Sequence, residues 1–285
     1  MEDLVATQWL AGRLDRPGGD AALVILDASW HLPDAGRDAA AEFERAHIPH
    51  ARFLDLASFT DPDSDVPSAV PSGAQFFDRL RQLGIGANDQ VVLYDDSAVK
   101  SAARAWFIFR LHGFHAVAIL DGGLAKWRAE GRSLESGTPQ PRTASGSQSG
   151  PGAFSTRRKR DLLANLSHGG EQVVDARSYG RFMGVDAEPR QGLASGHIPG
   201  STNLPFGEVL NPDGTFKQPD DLRKVFADNG VALDRPIVTT CGSGVTAAVL
   251  LFALHRIGKE DVALYDGSWA EWGADPSTPK ARAGS

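Results

Sequence analysis

A chain of 285 residues with 41% hydrophobic and 23% charged residues has the composition of a globular protein with a substantial core, in one large domain or two ordinary ones. Its net charge of −7 argues against nucleic acid as a partner, because phosphate contacts need a basic surface. The only cysteine is Cys241, so no internal disulfide is possible; the N-terminus MEDLVATQWL lacks a secretory apolar core, and the longest apolar run, Val245 to Leu254, is too short to span a bilayer. Together these features point to a cytoplasmic protein that uses neither a membrane nor an oxidising compartment.

Taken in chain order, the first half reads Val24-Ile-Leu-Asp27, His47-Ile-Pro49, Val91-Val-Leu-Tyr-Asp95 and Ala118-Ile-Leu-Asp121-Gly-Gly. The second half repeats that order: Val173-Val-Asp175, His197-Ile-Pro199, Ile237-Val-Thr-Thr-Cys241 and Ala263-Leu-Tyr-Asp266-Gly-Ser. The Asp-to-His spacings are 20 and 22 residues, and those from Asp95 to Asp121 and from Cys241 to Asp266 are 26 and 25, which indicates a diverged duplication: one domain over residues 1–132 and a second over 156–285. Between them, residues 133–155 are rich in Pro, Gly and Ser and read as a linker, since they cannot bury enough apolar surface to offset the cost of ordering.

Val91 to Tyr94 and Ile237 to Thr240 are compact runs, rich in β-branched residues, and predict buried strands. Helical patterns follow at Ser101 to Leu111 and Val245 to Arg256, with Gly113 and Gly258 where C-terminal capping glycines belong. Strand–helix alternation predicts an α/β fold, two tandem domains each with a mostly parallel sheet flanked by helices. Arg157-Arg-Lys-Arg160 is read as the solvated start of a helix. His47 and His197 are read as hydrogen-bonded residues of turns, and the other six histidines show no ligand spacing.

The chemistry concentrates where a strand ends. Cys241 closes its predicted strand inside Cys241-Gly-Ser-Gly-Val-Thr-Ala247, just before the apolar helix. Sites in open α/β sheets form beyond the carboxyl ends of strands. Gly242 and Gly244 permit a tight loop that turns several N–H groups inward as an anion nest, and the helix adds its positive end. Both favour thiolate over thiol, so Cys241 is the candidate nucleophile. The same position in the first repeat is Asp95, which leaves that half without a sulfur nucleophile.

Asp27-Ala-Ser-Trp30, Gly36-Arg-Asp38, the two His-Ile-Pro elements, Leu120-Asp-Gly-Gly123, Tyr265-Asp-Gly-Ser-Trp-Ala-Glu-Trp272 and the cysteine loop together resemble the two-domain rhodanese-type sulfurtransferases, and within them the branch acting on 3-mercaptopyruvate. The resemblance implies that Cys241 takes a sulfur atom as a persulfide, releases pyruvate and passes the sulfur to a thiol such as thioredoxin, or to cyanide, with no cofactor. Arg181 in Gly180-Arg-Phe-Met-Gly184 and Arg190 in Glu188-Pro-Arg190 then hold the substrate's carboxylate and ketone, while Gly242, Gly244, Val245 and Thr246 line its place. Ser243 matches a serine that handles protons in the family, and a loop-stabilising hydroxyl fits its spacing equally. One element departs from the pattern. The family's acidic residue and histidine after the first His-Ile-Pro are here Ala57 and Ser68, with Asp61, Asp63 and Asp65 nearby in an acidic loop.

Three other functions are compatible with parts of this reading. A thiosulfate:cyanide sulfurtransferase shares the persulfide but tends to carry basic residues directly after the cysteine, where this chain has Gly242 and Ser243. A cysteine phosphatase needs an arginine six residues after its cysteine, where this chain has Ala247. A non-catalytic module that carries or senses sulfur would need only the cysteine loop.

Overall fold

The computed structural model describes residues 1–15, 22–139 and 152–282, so most of the expected linker lies outside the described residues. Contacts divide the chain into two units. One comprises Met1–Pro62, Val70–Ala153 and Pro212–Thr215, and the other Asp63–Ala69, Phe154–Asn211 and Phe216–Ser285.

The first unit contains β1 (Leu4–Val5), α1 (Thr7–Leu14), β2 (Leu23–Asp27), α2 (Ala39–Arg45), β3 (Arg52–Phe53), α3 (Gly73–Gln82), β4 (Gln90–Tyr94), α4 (Ala102–Leu111), β5 (Val117–Leu120) and α5 (Gly123–Ala129). Its five-stranded sheet has the order β1-β5-β4-β2-β3. The second unit contains β6 (Ser155–Arg157), α6 (Lys159–His168), β7 (Gln172–Asp175), α7 (Tyr179–Met183), β8 (Thr202–Asn203), α8 (Pro219–Asp228), β9 (Ile237–Thr240), α9 (Val245–Arg256), β10 (Val262–Tyr265) and α10 (Ser268–Trp272). Its sheet runs β6-β10-β9-β7-β8, the same permutation. Every strand pair in both sheets is parallel. Central strands of such sheets are covered on both faces, which is why β4 and β9 are apolar or β-branched along their buried lengths rather than alternating.

The predicted helix over Val245–Arg256 is α9, residue for residue. The helix expected from Ser101 starts one residue later, because Ser101 is its N-cap and its hydroxyl donates to Ala28 O at 2.7 Å. Gly113 and Gly258 both take positive φ, 76° and 81°, just past their helices. The basic run is not a plain solvated helix start. Arg157 belongs to β6 and pairs with Glu171 at 2.6 Å, and the helix begins only at Lys159, which pairs with Asp275 at 2.7 Å. Edge pairing with β10 takes Arg157 out of the helix and turns its guanidinium to a partner.

The two His-Ile-Pro turns are built alike. His47 Nδ1 donates to Phe43 O and His197 Nδ1 to Phe182 O, at 2.7 and 2.8 Å, and each ring stacks on that phenylalanine. Each histidine also forms an antiparallel bridge, to Glu135 and Ala281 respectively. The cores gather around Ile25, Val92, Tyr94 and Trp127 in the first unit, and Val173, Val238, Tyr265, Trp269 and Trp272 in the second.

Candidate active site

β9 ends at Thr240, and the chain turns at Cys241 into α9 with Gly244 as N-cap. The backbone of this turn is fastened to α10 by three bonds. Cys241 N donates to Ser268 Oγ at 3.2 Å, while Trp269 N and Ala270 N donate to the carbonyls of Cys241 and Gly242, both at 2.9 Å. Ser268 itself is held at φ 47°, a left-handed conformation that costs a non-glycine residue about 1–2 kcal/mol. Its hydroxyl donates to Tyr265 O at 2.9 Å, so the strained residue links β10 to the cysteine turn.

Fastened this way, the turn aims Gly244 N–H at the sulfur, with Gly244 N 3.1 Å from Cys241 Sγ. This is the amide that faces Sγ among the described residues, where the sequence led us to expect several. The positive end of α9 lies immediately beyond it. Cys241 is only 2% exposed, more enclosed than its place in a polar loop suggests, because its backbone N–H and C=O are both tucked against α10. Ser243 and Val245 are buried and Thr246 half-buried in the same turn.

The two glycines have different reasons. Gly244 sits at φ 79°, open to glycine and strained for other residues. Gly242 does not have positive φ. A Cβ there would lie 3.1 Å from Arg181 Nη2, so this glycine is what lets the guanidinium approach the loop.

Arg181 comes from the short helix α7 and is the outer member of a buried charge chain. Its Nη2 and Nε donate to Glu188 at 2.6 and 3.3 Å. Glu188 also accepts from Arg177 Nη1 at 2.7 Å, and Arg177 grips Asp175 at the end of β7 through Nε and Nη2. Arg177 is further fixed by a bond to Gly196 O at 2.8 Å and by stacking over Trp269, 4.4 Å from the ring centroid. Burial works against its charge, but Asp175 and Glu188 outweigh that and raise its pKa above the ordinary value. Arg190, two positions beyond Glu188, makes no ion pair among the described residues.

Residues 7–130 and 159–275 each match the rhodanese-like domain family. The chain belongs to the rhodanese family. It is 44% identical to human 3-mercaptopyruvate sulfurtransferase over 94% of this chain and 91% of that one. It is 39% identical to an Arabidopsis thaliana protein named thiosulfate/3-mercaptopyruvate sulfurtransferase 1, mitochondrial, over 98% and 78%. Among solved structures it matches SseA, a 3-mercaptopyruvate sulfotransferase from Escherichia coli, with a TM-score of 0.82 and 35% identity over 94% and 99% of the two chains. No helix among the described residues is long and apolar enough to cross a membrane.

In the first rhodanese domain the corresponding turn holds a carboxylate. Asp95 follows β4, its carbonyl accepts from Leu124 N as Cys241 O accepts from Trp269 N, and its Oδ1 and Oδ2 accept from Ser97 N and Ala102 N at 3.0 and 2.8 Å. Burial holds its pKa above the usual carboxylate range. Below it, Asp27 is pushed up to about 6, chiefly by burial and against the bonds it accepts from Ser29 and Tyr94. Its counterpart Asp175 has Arg177 two residues on, where Asp27 has only Ser29. Ala57 lies in a short 3-10 turn, Leu56–Ser58, capped by Asp55, while Asp61 accepts from Gln75 Nε2 at 2.9 Å. Ser68 takes φ 62°.

Sequence reasoning named Arg181 and the loop but missed their supports, Arg177, Glu188 and Ser268. Ser268 and Glu188 both stood inside quoted motifs. Their roles rest on contacts 27 and 7 residues away along the chain, to Cys241 and Arg181.

Proposed function

We propose that this rhodanese takes sulfur from 3-mercaptopyruvate on Cys241 and delivers it to a thiol such as thioredoxin, or to cyanide. The observation that carries the reading is the turn itself: a cysteine sulfur beneath the Gly244 amide, at the start of α9, with the Arg181 guanidinium brought against Gly242. The Cys241 thiolate attacks the donor sulfur. The S–S bond forms as the C–S bond breaks, and its electron pair stays on carbon as the enolate of pyruvate. The donor's sulfhydryl proton balances the one this enolate takes up, leaving a persulfide anion and pyruvate. A second thiolate then attacks the outer sulfur, carries it away and restores Cys241. Splitting transfer this way replaces one hard step with two easier ones.

Arg181 and Arg190 hold the donor's carboxylate and ketone, since a planar, permanently charged fork suits a carboxylate and positive charge by the ketone stabilises the enolate. The Gly244 amide and the α9 terminus favour charge on sulfur in both the free and the loaded states. Ser243 sits in the turn as either a proton carrier or a brace. Thiosulfate is the weaker donor in this reading, because the places after the cysteine are Gly242 and Ser243 rather than basic residues.

Intact-mass measurement after exposure to mercaptopyruvate tests the proposal. The wild type gains one sulfur atom and releases one pyruvate per chain, and Cys241→Ser does neither. Pyruvate release by the serine variant, or a wild type loaded by thiosulfate and not by mercaptopyruvate, overturns it.

A further inference from the structure

Glu188 is buried, its side chain 2% exposed, and it is shared by two arginines of unequal exposure: Arg177 at 0% and Arg181 at 24%. A carboxylate in that position does two things. It occupies Nε and one Nη2 hydrogen of Arg181, so the guanidinium cannot rotate and must offer its Nη1–Nη2 edge elsewhere, and Gly242 lies against that edge. It also cancels charge. Asp175, Arg177, Glu188 and Arg181 form a chain of alternating sign that sums to zero, and little water reaches its inner members to screen it. Asp186, against Gly180, is exposed and therefore screened.

We infer that Glu188 is a positioning residue that also sets the charge of the sulfur donor: it fixes the open edge of Arg181 toward the cysteine turn and, by neutralising that arginine, tunes the site to a donor bearing one negative charge rather than two. The inference rests on Arg181 as a donor-binding group, the reading given above, but not on mercaptopyruvate as the donor. In a site whose buried quartet is neutral, Arg190, which makes no ion pair among the described residues, adds one positive charge nearby in sequence, which matches a monoanion. Removing the Glu188 charge leaves the quartet at +1 and rewards a dianion.

Two donors that differ by one charge and carry the same kind of transferable sulfur separate this role from a merely structural one. Thiosulfate is the dianion and methanethiosulfonate the monoanion, and the rate of sulfur gain by Cys241 is followed by intact mass for each. The proteins are the wild type, Glu188→Gln and Glu188→Asp, with thermal midpoints recorded in parallel. In Glu188→Gln, which keeps the shape and loses the charge, the thiosulfate-to-thiosulfonate rate ratio rises by about tenfold, as one unscreened charge at close range allows. In Glu188→Asp, which keeps the charge and shortens the reach, both rates fall but the ratio stays near wild type. Equal loss for both donors in Glu188→Gln, or the same ratio change in both variants, refutes the inference. A wild type loaded by neither donor refutes it as well, whereas failure with mercaptopyruvate alone refutes only the donor reading above.

Discussion

Replacing Gly242 with alanine tests whether the loop and Arg181 work as one surface. The new methyl group lies 3.1 Å from Arg181 Nη2 and must displace it by a few tenths of an ångström. The loop cannot give way, because the Gly242 carbonyl is held by Ala270 N and the Cys241 carbonyl by Trp269 N, both at 2.9 Å. Arg181 cannot give way freely either, being bound to a buried Glu188 at 2.6 Å. The guanidinium therefore shifts while Gly242 keeps a backbone conformation that alanine accepts, and the fold is not strained. A misplacement of 1 Å can cost on the order of 100-fold in rate, so a shift of this size lowers kcat/KM for mercaptopyruvate by roughly three- to tenfold. The assay is steady-state pyruvate release alongside thermal unfolding. An alanine variant with full activity, or one whose loss of activity merely tracks a loss of stability, refutes the argument.

Gly244→Ala has the opposite profile: its φ of 79° strains any side chain, so stability falls by about 1–2 kcal/mol in urea unfolding and sulfur loading slows as the amide leaves Sγ. Arg177→Ala leaves Asp175 buried without its cation and Glu188 with Arg181 alone, and lowers unfolding free energy by about 3–5 kcal/mol, the usual cost of breaking a buried pair; a loss under 1 kcal/mol contradicts the charge chain. Asp27 holds its proton more tightly folded, at about 6, than in its reference state at 3.8. Its contribution to stability is therefore fully present below 3.8 and is lost as pH rises through about 6, an effect of at most about 3 kcal/mol. Asp27→Asn removes that slope, and superimposable urea-unfolding profiles of wild type and variant between pH 4 and pH 7 would contradict it.

Much of this was legible from the chain because duplication writes each feature twice. Ile237-Val-Thr-Thr-Cys and Val91-Val-Leu-Tyr-Asp share a strand end, and their surroundings supply strand, helix and capping glycine in the same order, so fold and nucleophile could be read together. Residues whose work is done at a distance were not legible. Ser268 resembles any serine of a tight turn until its hydroxyl is seen accepting from Cys241 N, and nothing local distinguishes Glu188 from a surface acid before its burial between two arginines is known. Gly242 was misread for a related reason: glycine in a loop suggests unusual φ, and the need for empty space beside a neighbouring guanidinium leaves no mark in local sequence.

The Asp95 turn bears on stoichiometry. With both carboxyl oxygens of Asp95 engaged by the amides of Ser97 and Ala102, the turn of the duplicate domain is already filled and has no vacancy for a sulfane atom. A preparation saturated with donor should thus carry one labile sulfur equivalent for every chain, whatever the excess, and titration of that equivalent counts competent molecules directly.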